Sequence, residues 1–525
     1  MDIEADISAG LPYFNMVGLL ASEVREARER VRSALKNINE PIPLGRVVIS
    51  LSPADLRKEG TGFDLPIAVA LLCSMNRLRN DIFDDTLMIG ELGLDGEIKP
   101  VKGILPIVNM AKKYGIWKFV IPYDNQKEGK LVEGVKIISF RHLKDMVAFY
   151  SRKESLTCDV NEFIGKDHSQ NDKKQNSEYL TKIESEDLKI VNTEQKMDCD
   201  INERLNLNNG EDDYSQVYGQ ETVKRAIVIA VSGFHNLLMV GPPGVGKSIL
   251  ASRIPTVMPS MTMEERIEVS GIQSICGLLE GGHLIEKRPF SSPHHTITCA
   301  GLIGGGRIPR PGEITIAHKG VLFLDELPEF HPYVIDALRQ PLEEGVVKIY
   351  RTGGSYIFPA DCLLVAAMNP CRCGYYPDRN RCNCSEMEVK KYLARISGPI
   401  LDRIDLSVQV PRVSIDSING EGNTNYHNNH MTSKVMKKMI DRAIDNQMER
   451  QGNKRNGRLS IEEIRKYCIL DDECKEFMKE AYERFDMSMR GYNKVLKISR
   501  TIADIEGKEN IGIEHLSEAL AYRIR

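Results

Sequence analysis

Two folded parts in series, an α+β block and then an α/β module with a helical extension, are predicted for this 525-residue chain by three observations. From Tyr214 onward, short apolar strands alternate with helical segments, the pattern of a mostly parallel sheet covered on both faces. A glycine-rich turn joins one of those strands directly to a helix. Ahead of them, a polar and acidic stretch interrupts an otherwise ordinary globular sequence. The length agrees, because one hydrophobic core rarely serves more than about 300 residues.

Residues 1–150 read as α+β. Arg46–Leu51 is predicted to be a strand and Leu87–Gly90 another, and Asp95-Gly96 predicts a hairpin turn before a short following strand. Between Ser22 and Asn39, Val24, Ala27, Val31, Ala34, Leu35 and Ile38 recur at helical spacing, with Ser22 placed as the cap. Residues 151–213 differ. Asn, Gln and Ser fill 16 of 63 positions there, and the aromatic residues are Phe163 and Tyr179 alone. Such a segment buries too little apolar area to offset its ordering entropy, so a flexible acidic linker is expected. Residues 214–430 are predicted to form the α/β core, with strands at His235–Val240, Val321–Leu324 and Leu363–Ala367. Residues 431–525 are helix-rich and predict a lid.

The net charge is −4, yet it is unevenly spread. Residues 151–213 hold 16 acidic against 9 basic side chains, which leaves the rest of the chain at +3. A nucleic-acid surface would therefore be a local patch and not a global field. The longest nearly apolar stretch, Leu65–Met75, is too short for the roughly 20 residues that a membrane helix needs. Asp2, Glu4 and Asp6 give the first residues the wrong charge for a signal peptide, and a cytoplasmic location without membrane attachment is expected.

Gly241, Pro242, Pro243, Gly244, Val245, Gly246, Lys247 and Ser248 follow a buried strand and precede the helical run Ile249–Ile254. Glycines let successive backbone N–H groups wrap phosphates, and the helix N-terminus favours negative charge. In this P-loop pattern Lys247 reaches the β- and γ-phosphates and the Ser248 hydroxyl takes Mg²⁺. The strand Val321–Leu324 ends in Asp325 and Glu326, placed to hold Mg²⁺ and to deprotonate the attacking water respectively. Asn369 ends another apolar strand and is the next polar group for the γ-phosphate or that water. Together these predict an ATPase with ATP and Mg²⁺ as its small molecules.

These residues resemble the AAA+ superfamily, in its magnesium-chelatase-like branch, and most of all the competence-protein ComM/YifB family. Further likeness is carried by Tyr218–Glu221, Ser292–Thr296, Gly304–Gly306, Pro311–Ile314, Ala366–Pro370, Ile396–Asp405 and Ser499–Asp504, and in the first block by Ser52–Asp55, Phe63–Pro66 and Gly90–Glu97. The resemblance implies an αβα AAA+ sandwich with a helical lid, preceded by an α+β domain similar to that of Lon proteases (S5-like). It implies an arginine finger at Arg403 that reaches the ATP of a neighbouring subunit, hence a ring, expected to be a hexamer. It also implies a second sensor, assigned to Arg490 in preference to Arg500, that touches the γ-phosphate from the same chain. Both arginines have a plainer reading as helix-surface charges. Family members carry about a strand and a turn ahead of the segment matching Asp2–Pro12. The first block is thus expected to be short at its N-terminus, with either a misassigned start or an unpaired sheet edge.

True Lon proteases use a Ser–Lys dyad. By the resemblance, Gly62 stands at the serine position and Leu105 at the lysine position, so no acyl chemistry is expected. Lys58 and Lys102 are read as surface lysines, and the block as an assembly or substrate-docking domain.

Cys371, Cys373, Cys382 and Cys384 form C-x-C-x8-C-x-C. Two close thiol pairs across a short loop suit a structural Zn²⁺, with Arg372, Arg379 and Arg381 favouring thiolates; a metal-free reduced cluster is the alternative. Lys348 to Gly354 reads as a β-hairpin, strands Val346–Tyr350 and Ser355–Phe358 with a turn at Arg351–Gly354, and the resemblance aims it into the ring's pore. A second insertion, Pro289 to Pro311, adds His294, His295, Arg307 and Arg310. Arg307, Arg310, Lys348 and Arg351 are the candidate contacts to DNA phosphates. The leading expectation is a ring ATPase that moves on single-stranded or branched DNA, for branch migration or unwinding in natural transformation and recombination. A metal-chelatase-type motor and a nucleotide-gated protein remodeller are the alternatives.

Overall fold

A computed structural model of the chain describes residues 1–151, 213–279, 282–306, 309–351, 354–412 and 431–523, which fall into two compact units. The predicted linker 151–213 and Arg307 lie outside the described residues, apart from the end positions 151 and 213. Among the described residues no helix is long and apolar enough to cross a membrane.

In the first unit, β1 (Asp2–Ser8) and β2 (Tyr13–Val17) flank β3 (Arg46–Ser52), which runs antiparallel to β1 and parallel to β2. Alternate residues Val47, Ile49 and Leu51 of β3 are buried, as a sheet with one covered face requires. The helix Ser22–Asn37 supplies Val24, Ala27, Val31, Ala34 and Leu35 to the same core, which accounts for the apolar spacing read from the sequence. Ser22 does not cap it: Ala21 holds the N-cap position, and Ser22 is already the first helical residue. The helix Asp64–Ser74 is apolar nearly all round because it runs through the centre of the core. A second parallel sheet has the order β4 (Thr86–Met88), β7 (Lys118–Pro122), β8 (Lys136–Phe140). Between them the short antiparallel pair β5 (Glu91–Leu92) and β6 (Ile98–Lys99) turns at Gly96, whose φ of 96° suits glycine.

Two polar groups organise this unit. Asp64 is wholly buried and accepts from the Arg30 guanidinium at 2.7 and 3.0 Å and from the Leu92 amide at 3.2 Å. Lys58, expected at the surface, is wholly buried as well. Its ammonium is caged by the carbonyls of Pro53 and Leu56, in the turn after β3, so backbone oxygens replace water around the charge. Gly62 packs against Ile89, where an added Cβ would lie 2.8 Å from Cγ1, and Leu105 is buried.

The second unit is built on a parallel sheet of order β10 (Phe290–Ser291), β13 (Val321–Leu324), β16 (Leu363–Met368), β9 (Leu237–Val240), β17 (Leu406–Gln409). Both faces are covered, and the strands divide their side chains by the period of two. Leu237, Met239, Phe323, Val365 and Val408 join a core with the helix Glu221–Gly233 and the C-terminal helices Ser433–Gln451 and Met489–Glu506. Leu238, Val240, Leu322, Leu324, Leu364 and Ala366 face the other core, with Leu338, Leu342 and Ile400. The predicted hairpin forms, as β14 (Val346–Arg351) against β15 (Gly354–Pro359).

A buried polar network ties the C-terminal helices to the root of β9. His235 lies 2.8 Å from Thr501 Oγ1, Asn456 donates to both Thr501 and Asp504, and Asp504 accepts a bidentate pair from Arg450. Arg500 belongs here too. It is buried, bonded to Asp504 and to the carbonyls of Lys508 and Glu509, and is not a helix-surface charge. Burial, with Lys497 and Arg458 nearby, lowers the His235 pKa from 6.5 to about 3. The folded state therefore keeps His235 neutral while the unfolded state protonates it below about 6.5. Stability should fall by about 1.4 kcal/mol per pH unit from this group as pH drops from about 6 to 4. Urea titrations at several pH values check this, with His235→Gln losing that share of the slope.

Candidate active site

The glycine loop begins where β9 ends. Gly241 is required by close approach, since a Cβ there would sit 2.5 Å from the Val410 carbonyl oxygen. Gly244 and Gly246 have φ of 78° and 87°, and a Cβ on either would meet nothing within 4 Å. The loop is thus an open cradle that leads into the helix Lys247–Ser252. A cavity of about 330 Å³ lies over it, lined by the loop from Pro243 to Ile249 with Asp325, Glu326, Met368 and Asn369.

Lys247 is buried, and its ammonium donates to the carbonyls of Gly241 (2.7 Å) and Pro242 (3.0 Å) and to Asn369 Oδ1 (3.0 Å). Burial lowers its pKa, with Asp325 and Glu326 opposing the shift. Ser248 Oγ donates to Asp325 Oδ2 at 2.6 Å, which sets two hard oxygen donors side by side, the donor type that suits Mg²⁺. Glu326 follows β13 in a left-handed conformation, φ 52° and ψ 48°, an arrangement that a non-glycine residue adopts at a cost. Its carboxylate is 56% exposed and lies 4.0 Å from His295 Nδ1. The structure thus brings together the whole Gly241–Ser248 loop, Asp325, Glu326 and Asn369. The cradle, the lysine and the paired oxygens fit a magnesium-bound triphosphate.

His295, part of the Ser292–Thr296 likeness and of the second insertion, belongs to this site as well. Its ring packs on Phe330 and on His294, 4.0 Å away, which fixes it beside Glu326. The signal was present in the sequence: residues just past the C-terminal ends of adjacent parallel strands converge on one crevice, and the histidines follow β10.

Neither arginine lines the cavity. Arg403 donates to the Pro399 carbonyl at 2.6 Å and pairs with Glu343, with its side chain 12% exposed. Arg490 does not reach the pocket of its own chain, contrary to expectation. It lies 3.6 Å from the same Glu343 and 3.4 Å from Asp402, so packing of the C-terminal helices seats it beside Arg403. Sequence reasoning did not single out Glu343, and its local context carries no signal for this role.

The four cysteines converge, with all four sulfurs within 4.8 Å of one another. Two of the three arginines have partners other than the thiols: Arg379 donates to the Cys384 carbonyl and Arg381 pairs with Asp378. The Tyr375 amide, and not an arginine, holds the Cys373 thiol below its usual range, while burial pushes Cys382 up.

On the hairpin, Lys348, Tyr350 and Ile357 are exposed while Ile349 and Phe358 pack inward. Lys348 pairs with Glu344 at 2.7 Å. Arg310, on the ribbon β11 (Gly304–Gly305) and β12 (Arg310–Pro311), is exposed. The two insertions adjoin, since a Cβ on Gly305 would lie 4.0 Å from Arg351 Nη2.

The strand order, the glycine loop and the carboxylates that close β13 define a P-loop nucleotide-binding module of the AAA+ type. Residues 213–418 match the family described as magnesium chelatase, subunit ChlI; residues 3–125 match subunit ChlI of Mg-chelatase, and residues 430–523 its C-terminal part. Competence protein ComM of Haemophilus influenzae is 39% identical over 521 residues, 99% of this chain and 94% of that protein. YifB of Escherichia coli is 37% identical over 99% of this chain and 93% of its own length. Lon protease 2 of Bacillus subtilis is 30% identical over 96 residues, 18% of this chain and 17% of that one. The chain belongs to the ComM/YifB family of magnesium-chelatase-like proteins.

Lys247→Met should lower affinity for a triphosphate by about 100-fold, because two charge-assisted hydrogen bonds to phosphate oxygens are lost. Titration with a fluorescent ATP analogue checks it.

Proposed function

We propose that the protein is a ring-forming ATPase that couples ATP hydrolysis to movement on single-stranded or branched DNA in the cytoplasm. The observation that carries this reading is the joining, in one unit, of the phosphate cradle to two adjoining exposed insertions that present Arg310, Tyr350 and Arg351. Cations there hold phosphates without reading sequence, and an exposed tyrosine offers a stacking face to a base. Arg307 lies outside the described residues, and Lys348, paired with Glu344, would have to exchange that partner for a phosphate. Similarity to a protein named for competence supports branch migration or unwinding of incoming DNA as the task.

Within the pocket, backbone N–H groups of the loop hold the phosphates, and Lys247 turns from its carbonyls to the β- and γ-phosphate oxygens. Ser248 and Asp325 would hold Mg²⁺, which when bound neutralises charge developing on those oxygens. Glu326 orients the attacking water and takes its proton, while Asn369 holds the γ-phosphate or that water in line. His295 steadies the Glu326 carboxylate. Arg403 and Arg490 share Glu343 and are read as one pair, offered to the ATP of a neighbouring subunit, which makes turnover depend on assembly into a ring, proposed to be a hexamer. The four cysteines hold a structural Zn²⁺. The first unit, similar in part to Lon but with Gly62 and Leu105 at the dyad positions, serves assembly or docking without protease chemistry.

Turnover should rise several-fold with single-stranded or four-way-junction DNA and be absent in Glu326→Gln, which still binds ATP. Steady-state hydrolysis with single-stranded, duplex and junction DNA checks this. ATPase activity indifferent to all three would overturn the DNA reading and favour a chelatase-type motor or a protein remodeller. A second test separates the arginines from the pocket. Arg403→Ala and Arg490→Ala should each bind ATP normally and hydrolyse it at least about 100-fold more slowly. Mixing either with Lys247→Met subunits should restore part of the activity, since intact pockets then meet intact arginines.

A further inference from the structure

The loop that carries the four cysteines has almost no core of its own. Its buried set is Cys371, Cys382 and Val389, with Cys373, Tyr375, Tyr376 and Cys384 half-buried around it. Two of those three buried side chains are thiols, so apolar packing contributes little against the entropy of ordering the loop. The sulfurs have the spacing of a coordination shell. Cys371 Sγ lies 3.3 Å from Cys373 Sγ and 3.8 Å from Cys382 Sγ, and Cys373 lies 3.6 Å from Cys382. A tetrahedron with metal–sulfur bonds of about 2.3 Å has edges of about 3.8 Å, whereas a disulfide would need about 2.05 Å. The Tyr376 amide donates to Cys371 Sγ at 3.4 Å, an added hold on a thiolate.

This loop touches the phosphate cradle in two places. Asn369, which accepts from Lys247, is separated from Cys371 by Pro370 alone. Gly374, the residue after Cys373, packs on Pro243 of the glycine loop: a Cβ on it would lie 2.5 Å from Pro243 Cδ and 3.2 Å from Cγ. Its φ of 86° independently favours glycine. On the far side the Tyr375 ring receives the Arg412 guanidinium at 5.2 Å, just past β17. One cation would therefore fix the loop beside both the glycine loop and the end of β16.

We infer that a single thiophilic divalent cation, held by Cys371, Cys373, Cys382 and Cys384, braces the nucleotide pocket by seating Gly374 on Pro243 and Asn369 beside Lys247, so that phosphate affinity depends on the metal. The inference rests on the zinc reading above and adds the coupling to the cradle. Without the cation the loop is free to leave Pro243, and the P-loop loses one wall.

The test uses the full chain carrying Glu326→Gln, so that bound ATP persists. Metal per chain is measured by mass spectrometry, and affinity by titration with a fluorescent ATP analogue and Mg²⁺. The parent should hold one zinc per chain, or one Co²⁺ showing a thiolate charge-transfer band. Cys373→Ser/Cys384→Ser, in the two half-buried positions, should lose the metal and bind nucleotide about tenfold more weakly or worse. Gly374→Val keeps all four thiols, and should hold one metal yet show the same loss of affinity. Absence of metal from the parent, even after zinc or cobalt is supplied, would overturn the zinc reading together with the inference. Unchanged nucleotide affinity in the metal-free double variant would leave the zinc reading standing and overturn the coupling. Should the double variant fail to fold by circular dichroism, Gly374→Val decides: one metal with unchanged affinity overturns the coupling.

Discussion

The second unit is organised around one charge. The Lys247 ammonium is buried where β9 and β16 end, and three oxygens from two parts of the chain satisfy it: two carbonyls of its own loop and the amide of Asn369. A buried ammonium without such partners would be costly enough to lose its proton or drag in water. The pairing of β9 with β16 brings these partners together, and Asp325 and Glu326, just past the end of β13 on the other side of β16, line the same cavity. The partners are carbonyls and an amide, not carboxylates. The lysine can therefore change them for phosphate oxygens without leaving an opposite charge unpaired behind it.

What was legible in the sequence is what short-range chemistry dictates. The apolar runs of β3 and of the sheet strands, the helical spacing from Val24 to Ile38, and the glycines of the cradle are local demands of backbone geometry, and they read directly. The convergence of the four cysteines was legible because the short spacing leaves the loop few ways to arrange them.

What stayed hidden depends on distant parts of the chain meeting. Lys58 looked like any polar-loop lysine, since nothing nearby in sequence announces that the carbonyls of Pro53 and Leu56 would enclose it. Arg490 sits beside Arg403 only because helices more than eighty residues further along pack against Asp402 and Glu343. Ser22 lost its capping role to a boundary set one residue earlier by the bridge between Leu20 and Lys58. The contact of Gly374 with Pro243 joins segments that no pattern links.

The polar network under β9 has a mechanical consequence. His235, two residues before that strand, is bonded to Thr501, and Gln447 reaches back to the Ser232 carbonyl, all within one continuous apolar core shared by sheet and C-terminal helices. Swinging those helices away from the sheet would open that core and strand several buried donors at once. The unit is built to move as a single block. Displacing the end of β9 therefore displaces the C-terminal helices with it.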